Sequence, residues 1–411
     1  MILWPWLKPL YGHGGGIIAR KKIAVVGGGV TGLSCAYELD KSGNEIVIYE
    51  RDFILGGRSP HTNQIVTPRY EEFLELMDEL GIRDEVLDEI DYEKMGALID
   101  GEIRSFTGFI PFLMPEDELS FIDKYLKRPV LSRLMGIDVD QVRELKSDIR
   151  DINFDYEEPG EKARELAEIS AEEWLNSYPE NVQEKVLYPV MRTLFVNDLS
   201  DVCAEEAANH FQEFYDSMTG TMRTVSGGPT EIAGAIHDNI KAEIRMSSEV
   251  ENVEEYGEGV VVETGEDSEE FDYVVLATPL PSSETILDTE FGMEYDWTEA
   301  MTVDGELEGE FANVIGAERS SNLRVLFAPS DEHFVFPETM GEDPDLDELY
   351  EEYSVLGREE IISKPLIEPG YDLPDLRHSE RIFLAGDFYR YSGLETAVYT
   401  GRKVGRMING E

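Results

Sequence analysis

Between Lys22 and Glu50 the chain reads KIAVVGGGVTGLSCAYELDKSGNEIVIYE, and no other stretch restricts its fold so strongly. KIAVV is a short apolar run of the kind found in a strand buried on both faces of a parallel sheet. The next segment puts Val30, Leu33, Ala36 and Tyr37 on one helical face, Gly43 closes it, and EIVIYE is a second strand. The product is a βαβ unit of about thirty residues. Its first turn carries Gly27, Gly29 and Gly32 as G-x-G-x-x-G. The first glycine permits the tight turn, the second lets backbone approach a pyrophosphate, and the third brings helix against strand, with the helix N-terminus favouring negative charge. Glu50 ends the second strand, placed to accept hydrogen bonds from a ribose 2′-OH. The unit predicts a bound dinucleotide and does not by itself separate NAD from FAD.

The rest of the chain is too long for one core. Its 411 residues exceed the roughly 250–300 at which a single core stops growing, which predicts two domains. Asp and Glu number 87 against 35 Lys and Arg, a formal charge of −52 spread along the whole sequence. The 41% apolar content is ordinary for a packed protein, so this charge does not signal disorder. Self-repulsion of that size opposes compaction unless salt screens it, which happens within about 3 Å at molar ionic strength. A halophilic, salt-rich cytoplasm is the expectation, and a basic partner is the alternative. No basic stripe is present, which argues against nucleic acid. Cys35 and Cys203 make neither a disulfide framework nor a metal cluster, consistent with a reducing interior. No apolar run reaches the ~18–20 residues of a membrane span. Residues 1–21 form an N-terminal extension whose two prolines and lack of a cleavage site make it a poor signal peptide. Two readings stand for it: a loosely docked extension, or a peripheral membrane or partner contact through Trp4, Trp6 and Tyr11.

Further along, Tyr70, Phe73, Met77 and Leu80 have helical spacing, with Gly81 as the stop. Asp100-Gly101 and Asp304-Gly305 predict hairpins. Residues 115–220 read mostly as helices, one opened by a capping box of Ser170 with Glu173. The chain turns β-rich after Gly227-Gly228, and 337–353 reads as an acidic surface excursion. RIFLAGD is a short buried strand, followed by a helix from about Leu394.

Three separated motifs then carry a resemblance. Gly56-Gly57-Arg58 follows Glu50, VSGGPTEIAGAI opens the later β-rich part, and IFLAGDFYRYSGLETAVYTGRKVG closes the chain. With ISAEEWLNSYPENVQEKVLYPVMRTLFVNDLSDVCAEEA between them, the sequence resembles the flavoproteins that include flavin-containing amine oxidases, protoporphyrinogen oxidases and phytoene desaturases. The match extends over most of residues 22–411 apart from about 290–375. The resemblance implies an α/β fold: a Rossmann-like FAD/NAD(P)-binding domain from 22–85, 225–285 and 376–411. A second, mixed α+β substrate domain would come from 86–224 and 286–375. It implies FAD as the cofactor, with Glu50 on the adenosine ribose and the backbone at Gly27, Gly28, Gly29 and Gly32 near the pyrophosphate. Gly57 and Arg58 would complete the cradle, Arg58 neutralising phosphate charge or approaching the flavin. Val250 would meet adenine through its backbone, Asp387 would take the ribityl or pyrophosphate end, and the helix opening at Leu394 to Thr396 would face the flavin.

Some roles stay open. Asp387 can alternatively cap the last helix, Tyr389 and Tyr391 can face the flavin or simply pack, and Glu395 can be catalytic or a solvated first-turn charge. Arg192 can meet an acidic substrate or form a surface salt bridge. His61 and His210 receive no role, and no catalytic residue is assigned. The chain also departs from the pattern: SPHTNQIVTPRYEEF stands where a strand or hairpin usually follows G-G-R, and Thr396 stands where the family often has glycine. The expected activity is removal of a hydride equivalent from a small apolar organic substrate, on the protoporphyrinogen oxidase and carotenoid desaturase side of the family. Amine oxidation, and nucleotide binding with little redox turnover, are the alternatives.

Overall fold

A computed structural model describes residues 20–57, 65–89, 94–99, 102–105, 139–195, 198–219, 223–225, 229–265, 267–307, 309, 311, 313–316, 322–327 and 332–410. The expectations for residues 1–19, Arg58, His61, the Asp100-Gly101 turn and Gly227-Gly228 fall outside these.

The βαβ unit is present as β1 (Lys22–Val26), α1 (Val30–Lys41) and β2 (Glu45–Tyr49). β1 sits at the centre of a five-stranded, all-parallel sheet, between Tyr273–Leu276 and β2, with Ile382–Leu384 and Ala242–Arg245 at the edges. Central position explains the uninterrupted apolar run: Ile23, Ala24 and Val25 have no exposed surface, as a strand covered on both faces requires. α1 is buried nearly all round because it lies between the sheet, the helix Pro229–Asp238 and the final helix Leu394–Asn409. An antiparallel three-stranded sheet, Val250–Tyr256, Gly259–Thr264 and Ser268–Phe271, stands beside it.

A second core lies between a seven-stranded sheet and the helices of residues 139–219. The sheet runs Tyr350–Pro365, Tyr295–Leu307, Glu332–Pro337, Leu323–Phe327, Asn313–Gly316, Met95–Ile99, Glu102–Ser105. Trp174, Leu187 and Phe211 are among its buried side chains. The capping box forms in part: the Ser170 hydroxyl accepts from the Glu173 N–H at 3.1 Å.

Four expectations need correction. Asp304-Gly305 is no hairpin turn but lies inside the strand Tyr295–Leu307, where glycine leaves room for the neighbouring strand: a Cβ there would stand 2.8 Å from the Glu352 carbonyl oxygen. Residues 337–353 are only partly a surface excursion, since Leu346, Leu349 and Tyr350 are buried and the long edge strand begins at Tyr350. A strand does follow the G-G-R segment: Ile65–Val66 pairs antiparallel with Arg223–Val225. Arg192 is not a surface residue; it is 4% exposed, 3.0 Å from Glu338, and donates to the carbonyls of Gly316 and Leu323.

Glu395 is likewise buried rather than solvated. Its carboxyl oxygens accept from the backbone N–H groups of Glu72 (2.9 Å) and Phe73 (3.0 Å), capping the helix Glu71–Leu80 from the side of the final helix. Burial pushes its pKa from 4.5 up to about 8, against the pull of those two donors. Between these values the folded state holds the proton that the unfolded chain has released, so stability falls as pH rises from about 4.5 to 8. Glu395→Gln, which cannot ionise, should flatten that fall; parallel urea-midpoint curves for the two proteins across this range would refute the assignment.

Candidate functional site

The turn after β1 is shaped by contacts that only glycine allows. Gly27 has φ of +108°, its N–H donates to the Tyr49 carbonyl at 2.8 Å, and a Cβ on it would lie 2.5 Å from the Ala277 carbonyl oxygen. The second glycine segment folds onto the first: Gly29 and Gly56 form an isolated parallel bridge, the Gly56 N–H donates to the Gly28 carbonyl at 3.1 Å, and a Cβ on Gly57 would stand 3.1 Å from the Gly29 Cα. The two motifs, far enough apart in sequence to be separate turns, are one floor.

Glu50 is 7% exposed and does two things. Its Oε2 accepts from the Gly28 N–H at 2.7 Å and its Oε1 from the Asp52 N–H at 2.8 Å, so the carboxylate braces the glycine turn as well as lining the cavity above it. With its N–H spent on Glu50, Gly28 does not offer a donor to a phosphate, contrary to the sequence expectation, and it does not line the cavity. Gly32 is also absent from the lining; it packs beneath the Gly27 carbonyl.

A cavity of about 820 Å³ opens over this floor. Gly27, Gly29, Glu50, Gly57 and Val250 line it on the side of the glycine floor, and Asp387, Gly393, Leu394 and Ala397 line it as well. The far end is walled by the second core and its sheet: Phe195, Val325, Phe327, Phe336 and Ile361. Asp387 does not cap the last helix, whose cap position is Gly393. The turn carrying it is pinned by Thr400, whose hydroxyl accepts from the Gly386 N–H at 3.0 Å.

Thr396 turns away from the cavity. It is 1% exposed, its hydroxyl pairs with the Tyr156 hydroxyl at 2.8 Å, and it does not line the cavity, so of the helix opening expected to face the flavin only Leu394 does so. Tyr389 stacks near Tyr399, and Tyr391 donates to Glu205 at 3.1 Å; both pack instead of lining the cavity.

Sequence reasoning missed how this end of the last helix is held. Glu205 and Glu206, on the helix Ala204–Thr219, grip the loop before it. Arg390 donates to Glu205 at 3.0 Å, and the Ser392 N–H and hydroxyl both donate to Glu206. Burial opposes ionisation of Glu206, but Lys364 and His210 outweigh it and hold its carboxyl below the usual range. Adjacent glutamates in an acidic chain carry no signal of this role. The cavity's far end also contains Arg324 and Lys364, which the sequence did not single out. Among the described residues there is no cluster of metal-ligating side chains, and no helix is long and apolar enough to cross a membrane.

Comparison with known proteins decides which dinucleotide chemistry this architecture belongs to. The family profile described as flavin containing amine oxidoreductase matches residues 30–301. The chain belongs to the flavin-containing amine oxidoreductase family. FAD is the cofactor that membership implies. Its relatives include the pig amine oxidase [flavin-containing] B, 25% identical over 285 residues, which are 62% of this chain and 50% of that protein. Protoporphyrinogen oxidase 2 of Arabidopsis thaliana is 28% identical over 115 residues, 26% of this chain and 21% of that protein. The chain thus spans about half the length of the amine oxidases it matches. Among solved structures, a putrescine oxidase variant superposes with a TM-score of 0.68 at 17% identity, covering 95% of this chain and 99% of that one, a likeness of fold. For a family member, the joined glycine floor, the braced Glu50 and the helix start at Gly393 are a cradle of the right composition for FAD: close backbone, a carboxylate on the cavity wall and a helix N-terminus.

Proposed function

We propose that the protein is an FAD-dependent oxidoreductase that removes a hydride equivalent from a small, largely apolar organic substrate. The observation that carries this reading is the continuity of the cavity from the glycine floor and Glu50 to the aromatic wall of Phe195, Phe327 and Phe336. Bound FAD would supply the two-electron acceptor, and the chain supplies position and field.

Each residue then has a task. Glu50 accepts from the adenosine ribose, Val250 offers backbone to adenine, and Gly27, Gly29 and Gly57 let the main chain approach the pyrophosphate. Asp387 holds the ribityl end, and the first turn of the final helix directs its positive dipole end at the ring. Arg58 is proposed to neutralise phosphate charge. The apolar far wall excludes water and holds the substrate's reacting carbon near the ring. Amine oxidation is the second reading, favoured by the amine oxidases among the relatives. The nucleotide-binding domain is proposed to comprise 22–85, 225–285 and 376–411, and the acidic excess is read as halophilic adaptation of a cytoplasmic protein, with residues 1–21 as a candidate membrane contact.

Purified in molar KCl, the protein should be yellow and carry about one FAD per chain. A colourless protein that also fails to take up added FAD overturns the proposal.

A further inference from the structure

The far end of the cavity has a charge opposite to that of the chain. Eight described residues wall it from the substrate side, and the two ionisable ones among them, Arg324 and Lys364, are both cations. This occurs in a sequence where acids outnumber bases 87 to 35. The remaining wall is aromatic or aliphatic except for Thr298.

Both cations are buried and held. Arg324 is 4% exposed and donates to Glu338 at 3.3 Å; Glu338 also meets Arg192 at 3.0 Å, so one carboxylate is shared by two guanidiniums. The Lys364 side chain is 15% exposed, with its Nζ 3.6 Å from the centre of the Phe195 ring and 3.9 Å from Glu206. Of the carboxylates that face these cations, Glu206, Glu338 and Asp296 do not line the cavity, whereas Asp387, on the cofactor side, does, together with both cations. Burial lowers the Lys364 pKa, Arg324 adds to that, and Glu206, Asp296 and Asp387 oppose it. Lys364 is therefore within electrostatic reach of both Arg324 and the cofactor-side Asp387.

An ammonium group entering this end would meet the Arg324 and Lys364 side chains beside a largely aromatic wall, whereas an anion would meet two donors. We propose that the site takes an apolar substrate carrying a carboxylate, anchored by Lys364 and Arg324 with its hydrocarbon part against Phe195, Phe327 and Phe336. This rests on the oxidoreductase reading and specifies its substrate class.

Calorimetric titration of the full-length, flavin-loaded protein with decanoate, 1-decanol and decylamine tests it, because the three probes share a tail and differ in the head. Decanoate should bind about tenfold or more tighter than either of the others, the scale of one charge-assisted contact. In Lys364→Met, which keeps length and apolar packing, that advantage should shrink by about tenfold while decanol binding is unchanged, and Lys364→Arg should retain most of it. Decylamine binding as tightly as decanoate, or an undiminished decanoate advantage in Lys364→Met, overturns the proposal. Flavin content, measured on the same samples, separates the two readings. Protein that cannot be loaded with added FAD yet still prefers decanoate refutes the oxidoreductase reading alone, and flavin-replete protein that prefers decylamine refutes the anionic substrate alone.

Discussion

Arg402→Ala should lower the unfolding free energy by about 3–5 kcal/mol, the cost of removing one partner from a buried ionic cluster. Arg402 is 1% exposed on the final helix, and four glutamates converge on it: Glu38 of α1 at 2.7 Å, Glu72 and Glu75 at 3.1 Å, and Glu79 at 2.8 Å. The guanidinium is the central link between three helices, and its five donors suit several carboxylates at once as a lysine ammonium would not. Without it, Glu38, itself 3% exposed, keeps Lys41 at 3.0 Å and Arg406 at 3.8 Å, so the loss is severe without being complete. The remaining acids would repel one another, and added KCl should recover part of the stability by screening the more exposed Glu75. Urea midpoints at low and molar KCl would read both effects. The buried Arg402–Glu38 pair predicts non-additivity: Arg402→Met combined with Glu38→Gln should be more stable than Arg402→Met alone. A midpoint shift equivalent to less than about 1 kcal/mol for Arg402→Ala would show that the cluster holds little.

What could be read beforehand depended on how locally each feature is encoded. The βαβ unit was legible because β1's apolar run, the glycine spacing and Glu50 lie within thirty residues and each has one stereochemical reason. The contact of Gly29 with Gly57 followed only from resemblance, since nothing in either turn says that they meet. Glycine as a turn marker misled at Asp304-Gly305, where the same missing Cβ serves a close strand crossing. Arg192 and Glu395 looked like surface charges because in an acidic chain a buried charge is indistinguishable by type; only long-range partners, Glu338 and the backbone of Glu72 and Phe73, reveal the burial. The far wall was the least legible part. Arg324 and Lys364 stand on non-adjacent strands of the seven-stranded sheet and Phe195 follows the helix Tyr188–Leu194, so only tertiary packing brings them together, and residues 290–375 carried little family pattern to stand in for it.

The glycine floor makes the other large prediction, because its geometry leaves almost no tolerance. Gly32→Ala should weaken FAD binding by about 100-fold or more, equivalent to ~2.7 kcal/mol, and lower stability as well. The added Cβ would lie 2.0 Å from the Gly27 carbonyl oxygen and 3.1 Å from the Val25 side chain, so either the turn or α1 must move. The turn is held by the Gly27 N–H bond to Tyr49 at 2.8 Å and is already pressed against Ala277, which leaves α1 to tilt away. Tilting α1 withdraws the helix N-terminus from the phosphate position, and the close backbone approach is lost with it. Gly234→Ala is the control: no atom lies within 4 Å of its Cβ position, so it should keep full flavin occupancy and gain up to about 1 kcal/mol from the helix preference of alanine. Flavin absorbance per chain and FAD titration of the stripped proteins measure the difference. If Gly32→Ala retained wild-type FAD affinity, the turn would not be the pyrophosphate floor, and the part of the cavity near Asp387 and Gly393 would have to hold the cofactor without it.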